Sequence, residues 1–112
     1  MVDMDLLYSY FADLADQLPD IPPDSIVSRT LYHDEQIKVV LFGLAAGQEL
    51  SEHTASQAAL LSFVHGEAEL TLGSDPRPAS PGTLVRMPPH LPHSVKAKTK
   101  LIMLLILLKA SA

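Results

Sequence analysis

The stretch Ala58-Ala59-Leu60-Leu61-Ser62-Phe63-Val64-His65-Gly66-Glu67-Ala68-Glu69-Leu70-Thr71-Leu72-Gly73 settles the structural class of this chain. Its first half is an apolar strand that Gly66 interrupts. Its second half alternates, with Ala68, Leu70 and Leu72 on one side and Glu67, Glu69 and Thr71 on the other. A period of two belongs to β-structure, because successive side chains of a strand point to opposite faces. Gly73-Ser74-Asp75-Pro76 then reads as a turn, since glycine and proline punctuate strands.

The same texture continues on both sides. Downstream, Pro78 to Gly82 reads as a loop, and Thr83–Met87, Ser94–Ala97 and Leu101–Leu108 read as strands. Upstream, Gln36–Leu44 is a strand with Ile37, Val39 and Leu41 on one face. Ser25–Tyr32 is another, with His33-Asp34-Glu35 as the turn between them. Seven or eight short strands with glycine and proline turns predict an all-β sandwich or barrel. Nothing after residue 20 alternates strand with helix, which argues against a parallel α/β sheet. Leu101–Leu108 has no polar face and must be covered on both sides. The first segment differs: Leu6, Leu7, Tyr10, Phe11, Leu14 and Leu18 fall at helical spacing. Asp3 or Asp5 can cap that helix, and Pro19 ends it. The expected division is residues 1–24 as helix and proline-rich linker and residues 25–112 as the barrel, one domain in all.

Composition narrows the function. The chain has 112 residues, 47% hydrophobic, enough for one real core, and no cysteine. That excludes disulfides, thiolate metal sites and a thiol nucleophile. The net charge is −5 with scattered Lys and Arg, the opposite of a nucleic-acid-binding footprint. The acidic start, Met1-Val2-Asp3-Met4-Asp5, does not read as a signal peptide. The longest apolar run, Leu101–Leu108, is far short of the roughly 20 residues of a membrane span. A soluble, cytoplasmic protein without nucleic-acid or membrane partners is expected.

Two segments resemble the two motifs of the cupin superfamily. The first motif runs Gly, five residues, His, one residue, His, three or four residues, Glu, six residues, Gly. Here Gly47 and His53 keep its spacing, Ala55 and Ala59 take the second histidine and glutamate places, and Gly66 closes it. The second runs Gly, five residues, Pro, one residue, Gly, two residues, His, three residues, Asn. Here it is Gly82, Pro88, His90 in the glycine place, His93, and Ala97 in the asparagine place. The resemblance covers residues 47–97, and the spacer between the motifs is short, as in small single-domain cupins. It implies a jelly-roll barrel, the double-stranded β-helix, with a short N-terminal helix.

In metal-bearing cupins three histidines and a glutamate point into the barrel. The resemblance places His53 and His93 there, and Gln57, four residues after His53, is the candidate third ligand. It implies a weakly held divalent transition metal (Zn, Fe, Ni, Mn or Cu), or a histidine pair that binds a water or a ligand instead. The expected pocket is His53, Gln57, His93, Phe63, Met87 and Met103, with Leu60, Leu84 and Val95 as further interior residues. His90 either reaches the pocket mouth or sits on an exposed turn. His33 and His65 read as surface residues, and Glu52 points away from His53's face. The expected function is binding of a small molecule in the barrel. A metal-dependent oxygenase or isomerase and a non-catalytic sensory or interaction module stay as alternatives. The apolar helix face and Leu101–Leu108 offer more greasy surface than a small barrel covers, which predicts a homodimer.

Overall fold

The computed structural model describes residues 7–109. Nine strands follow one another: β1 (Ile26–His33), β2 (Ile37–Leu44), β3 (Glu49–His53), β4 (Ala58–His65), β5 (Ala68–Leu72), β6 (Asp75–Ala79), β7 (Leu84–Met87), β8 (His93–Ala97) and β9 (Leu101–Leu108). They form two antiparallel sheets, β1-β2-β9-β4-β7 and β3-β8-β5-β6. Neighbours far apart in sequence, such as β2 with β9 and β3 with β8, make this a jelly roll.

The inner faces of the two sheets close on one core. Leu44, Ala59, Leu61, Phe63, Met87, Leu101 and Met103 of the first sheet meet Ala68, Leu70, Ala79, Val95 and Ala97 of the second. A second cluster lies on the outer face of the five-stranded sheet, where Leu14, Leu18 and Ile21 cover Leu41, Ile102 and Val64. Strand β9 is therefore covered on both faces over Leu101–Met103 and half-covered over Leu104–Leu107, with Leu108 exposed. The reading of this run as a doubly covered strand holds for its first three residues.

Several expectations need correction. Among the described residues the expected N-terminal helix is one 3-10 turn, Leu14–Gln17, capped by the Asp13 carboxylate on the Ala15 N–H; its expected start, with Asp3, Asp5 and Leu6, lies outside the described residues. Leu14 and Leu18 do face the barrel, but an isolated helix this short has little intrinsic stability, and packing holds only its last turn. Strand β6 occupies the supposed turn-and-loop region despite Pro76 and Pro78. It is an edge strand, the one place a sheet tolerates missing N–H donors. Strand β3 also escaped the sequence reading, because Glu49, Ser51 and Glu52 give it no apolar face. Leu60 and Leu84 were expected inside. Leu60 is three residues from Phe63, and Leu84 three from Met87, so strict alternation puts each on the opposite face. Leu84 is 66% exposed.

Gly66 is the turn with least freedom. Its φ is +84°, a conformation that favours glycine, and a Cβ there would strike the Lys100 carbonyl. Replacing Phe63 (2% exposed) by Ala should cost roughly 3–5 kcal/mol, whereas Leu84→Ala should stay within about 0.5 kcal/mol. Urea denaturation of the two variants measures both. Equal losses would mean that the inner and outer faces of this sheet are misassigned.

Candidate functional site

Strand β3 carries the first site residue to the interior by an irregularity. Leu50 pairs with Val95 and His53 with His93, so β3 spends three residues where β8 spends two. This bulge turns both Leu50 and His53 inward, although residues three apart on a regular strand face opposite ways. His53 and His93 become cross-strand neighbours. Their ring centroids are 4.2 Å apart and the rings are tilted by 59°. His93 is buried (8% exposed), while His53 is exposed at the mouth.

Each imidazole is held the same way. His53 Nδ1 donates to the Ser51 carbonyl at 2.8 Å, and His93 Nδ1 to the Leu91 carbonyl at 2.8 Å. A carbonyl only accepts, which assigns the ring proton to Nδ1. In the neutral rings both Nε2 atoms then carry a free lone pair. The two histidines open on a cavity of about 40 Å³, walled further by Phe42, Leu50, Leu61, Met87, Val95, Met103 and Leu105. A water needs about 10–15 Å³ on this scale, so the space suits a few heavy atoms.

Four of the six expected pocket residues line this cavity: His53, His93, Met87 and Met103. Two do not. Gln57 sits half-buried in the bend between β3 and β4, off both strands and outside the cavity wall. Phe63 shares the inner face but lies further along β4, where it pairs with Met103 in register and fills the core. Sequence reading missed Phe42, Leu50, Leu61 and Leu105. Leu61 shares Phe63's face and Leu105 shares Met103's, so alternation from residues already placed inside was the available signal. Leu50 had none, because only the bulge turns it in. His65 is exposed, and His33 contacts the Lys109 ammonium at the surface.

The Cupin domain family matches residues 40–108. The chain is a cupin. Among solved structures, a conserved protein of unknown function from Streptococcus pyogenes superposes with a TM-score of 0.83 at 28% identity, over 94% of this chain and 91% of that one. A cupin superfamily protein from Desulfitobacterium hafniense gives 0.84 at 23%, over 92% and 94%. A cupin 2 conserved barrel domain protein from Leptotrichia buccalis gives 0.79 at 29%, over 86% of this chain and 46% of that one. No curated protein matches the sequence. Among the described residues, no helix is long and apolar enough to cross a membrane.

The metal site of three histidines and a glutamate does not fit this cupin. Ala55 and Ala59 stand in two of the ligand places, and Ala59 is a buried core residue. Among the described residues no three His, Cys, Asp or Glu side chains come together as a metal-binding group. His90, in the glycine place of the second motif, is exposed with φ +68°, and its N–H donates to the Ala55 carbonyl at 2.7 Å. The left-handed backbone explains why that place suits glycine. The left-handed penalty of about 1–2 kcal/mol exceeds the extra chain entropy of a glycine, about 0.5–1 kcal/mol. His90→Gly should therefore raise stability by roughly 0.5–1 kcal/mol, seen as a higher urea midpoint, with His90→Ala giving no such gain. A loss on His90→Gly would mean that the imidazole itself makes a needed contact.

Proposed function

We propose that this cupin is a cytoplasmic small-ligand-binding protein whose recognition centre is the His53–His93 pair. The observation that carries the reading is the geometry of the pair: adjacent rings, each with Nδ1 tied to a main-chain carbonyl and Nε2 without a hydrogen-bond partner among the described residues. Two oriented acceptors over an apolar cavity are a usual recognition arrangement, few polar groups in a greasy wall. The ligand, or the part of it that enters, is small. Drug-sized sites measure about 300–1,000 Å³, against about 40 Å³ here. The oxygenase or isomerase alternative has less support, since no carboxylate lines the cavity and the imidazoles would be its only base. The sensory alternative shares the same pocket.

Nitrogen-15 NMR of histidine-labelled protein tests the reading against a panel of small alcohols, amines and carboxylic acids. At least one compound should move the Nε2 signals of His53 and His93 together, and His93→Ala should abolish the response. Shifts confined to His33, His65 or His90 would sink it.

The expected homodimer belongs to the same proposal. Tyr32, Val39, Ile106 and Leu60 form one row across the outer face of the five-stranded sheet. Tyr32 is exposed and the other three are half-buried. Beside them Leu7, Tyr8 and Phe11 border an open groove, and Tyr10 is 78% exposed. A second copy covering this face would bury what the N-terminal segment leaves open. Light scattering at micromolar concentration should give twice 12.1 kDa, and Leu60→Arg should halve it. A mass of one chain, unchanged on concentration, would show that the chain covers its own leucines well enough alone.

A further inference from the structure

At the open end of the barrel the inner face of the five-stranded sheet changes from apolar to cationic. Lys38 of β2 stands in one cross-strand row with Leu107, Ala59 and Met87, and residues of such a row share a face of the sheet. Leu107, Ala59 and Met87 belong to the inner core. Lys38 is therefore on the inner face too, two residues beyond the buried Val40 and four beyond Phe42 of the cavity wall. We propose that the ligand of the His53–His93 centre is a short organic acid in its carboxylate form. The Lys38 ammonium holds the carboxylate at the rim, and the chain enters the cavity. This rests on reading the histidine pair as a ligand-binding centre, and it names the ligand class and the residue that selects it.

Three observations support it. First, the Lys38 row lies at the same end of the sandwich as the histidines. One bend leads from His53 to the start of β4, and one loop leads from Met87 to His93. Met87 lines the cavity together with both imidazoles. Lys38 continues that row two strands beyond Ala59, roughly 10 Å away by strand spacing, a span that a lysine stem and a ligand of a few carbons bridge. Second, Lys38 is half-buried and lacks a counter-charge. The one ion pair among the described residues joins Lys98 to Glu69 of β5. Asp34, the acid of the adjoining turn, is already engaged by the Gln36 and Ile37 N–H groups and the Tyr32 hydroxyl. A charge partly withdrawn from water is costly unless an opposite charge meets it, and a carboxylate meets an ammonium with a charge-assisted hydrogen bond. Third, Lys109 adds to the same rim. Its ammonium donates to the Asp34 carbonyl at 2.7 Å and to His33 Nε2, and neither contact neutralises it. Two fixed cations at the mouth of an apolar cavity concentrate anions there. The wall behind them holds no carboxylate, so it accepts the chain, and a hydroxyl on that chain has an imidazole Nε2 to donate to.

A lysine at a strand end also serves solubility alone, and the test separates the two roles. Isothermal titration calorimetry compares glycolate, lactate and 3-hydroxybutyrate, each against its amide, which keeps the shape and removes the charge. Wild type should bind at least one acid and prefer it over its amide by roughly tenfold or more, the size of one charge-assisted hydrogen bond. Lys38→Met keeps the apolar stem and should abolish that preference, whereas Lys38→Arg should retain it. Lys96→Met, on the exposed face of the other sheet, should leave it unchanged. Equal binding of acid and amide by wild type, or an undiminished preference in Lys38→Met, overturns the proposal. Binding of none of the acids overturns it as well. In those cases the NMR response of His53 and His93 to alcohols and amines still decides separately whether the pair is a binding centre.

Discussion

Strand β9 pairs along its whole length with β2 on one side and, from Ile102 onward, with β4 on the other. Without it the five-stranded sheet is two unconnected strand pairs, β1-β2 and β4-β7. It also supplies core to both sides: Leu101 and Met103 toward the second sheet, and Ile102 toward the N-terminal segment. An uninterrupted apolar strand is costly to leave exposed, and its burial organises everything around it. Most pairings of this fold join segments far apart in sequence, so loops must close before contacts form, the condition for slow folding.

The cavity inherits this dependence. Its histidines come from β3 and β8, its methionines from β7 and β9, and its remaining wall from β2, β4, β8 and β9 as well as β3. No two adjacent strands alone contain it. The bulge in β3 is the local device that makes a shared site possible, because it converts a three-residue spacing into two inward-facing side chains. Carbonyl anchoring then sets both tautomers without any charged group. Alanine at positions 55 and 59 leaves the cavity without the motif's second imidazole and without its one anionic ligand. The resulting chemistry is neutral and soft: two lone pairs and two sulfurs in a hydrocarbon wall.

Polar order in this protein is local and sits at the turns. The Asp34 carboxylate accepts from the Ile37 and Gln36 N–H groups and the Tyr32 hydroxyl, which closes the β1–β2 turn. These bonds, led by that from Ile37, hold its pKa below the ordinary carboxylate value. The positive φ of Gly66 and His90 sits at comparable corners. Such corners fix register, and register decides which residues share the cavity face.

Strand texture and glycine spacing were enough, read from the sequence, to give the all-β class and most strand boundaries, and the resemblance to the cupin motifs supplied the expectation that His53 and His93 face one cavity. These features are local or carried by short fixed spacings, and β4 and β9 matched because apolar runs bounded by turns have one sensible reading. The rest was decided in three dimensions. Strand β6 exists because an edge excuses its prolines, and strand β3 because its neighbours supply the pairing that its own composition does not suggest. Among its described residues the N-terminal segment keeps one 3-10 turn where its periodicity implied a helix, since packing on the barrel rather than propensity holds it. Gln57 fell outside the cavity because a four-residue spacing says nothing about a bend, and Leu50 came inside because a bulge leaves no mark in composition. Which side chains meet depends on register between distant strands, and register is a property of the assembled sheets.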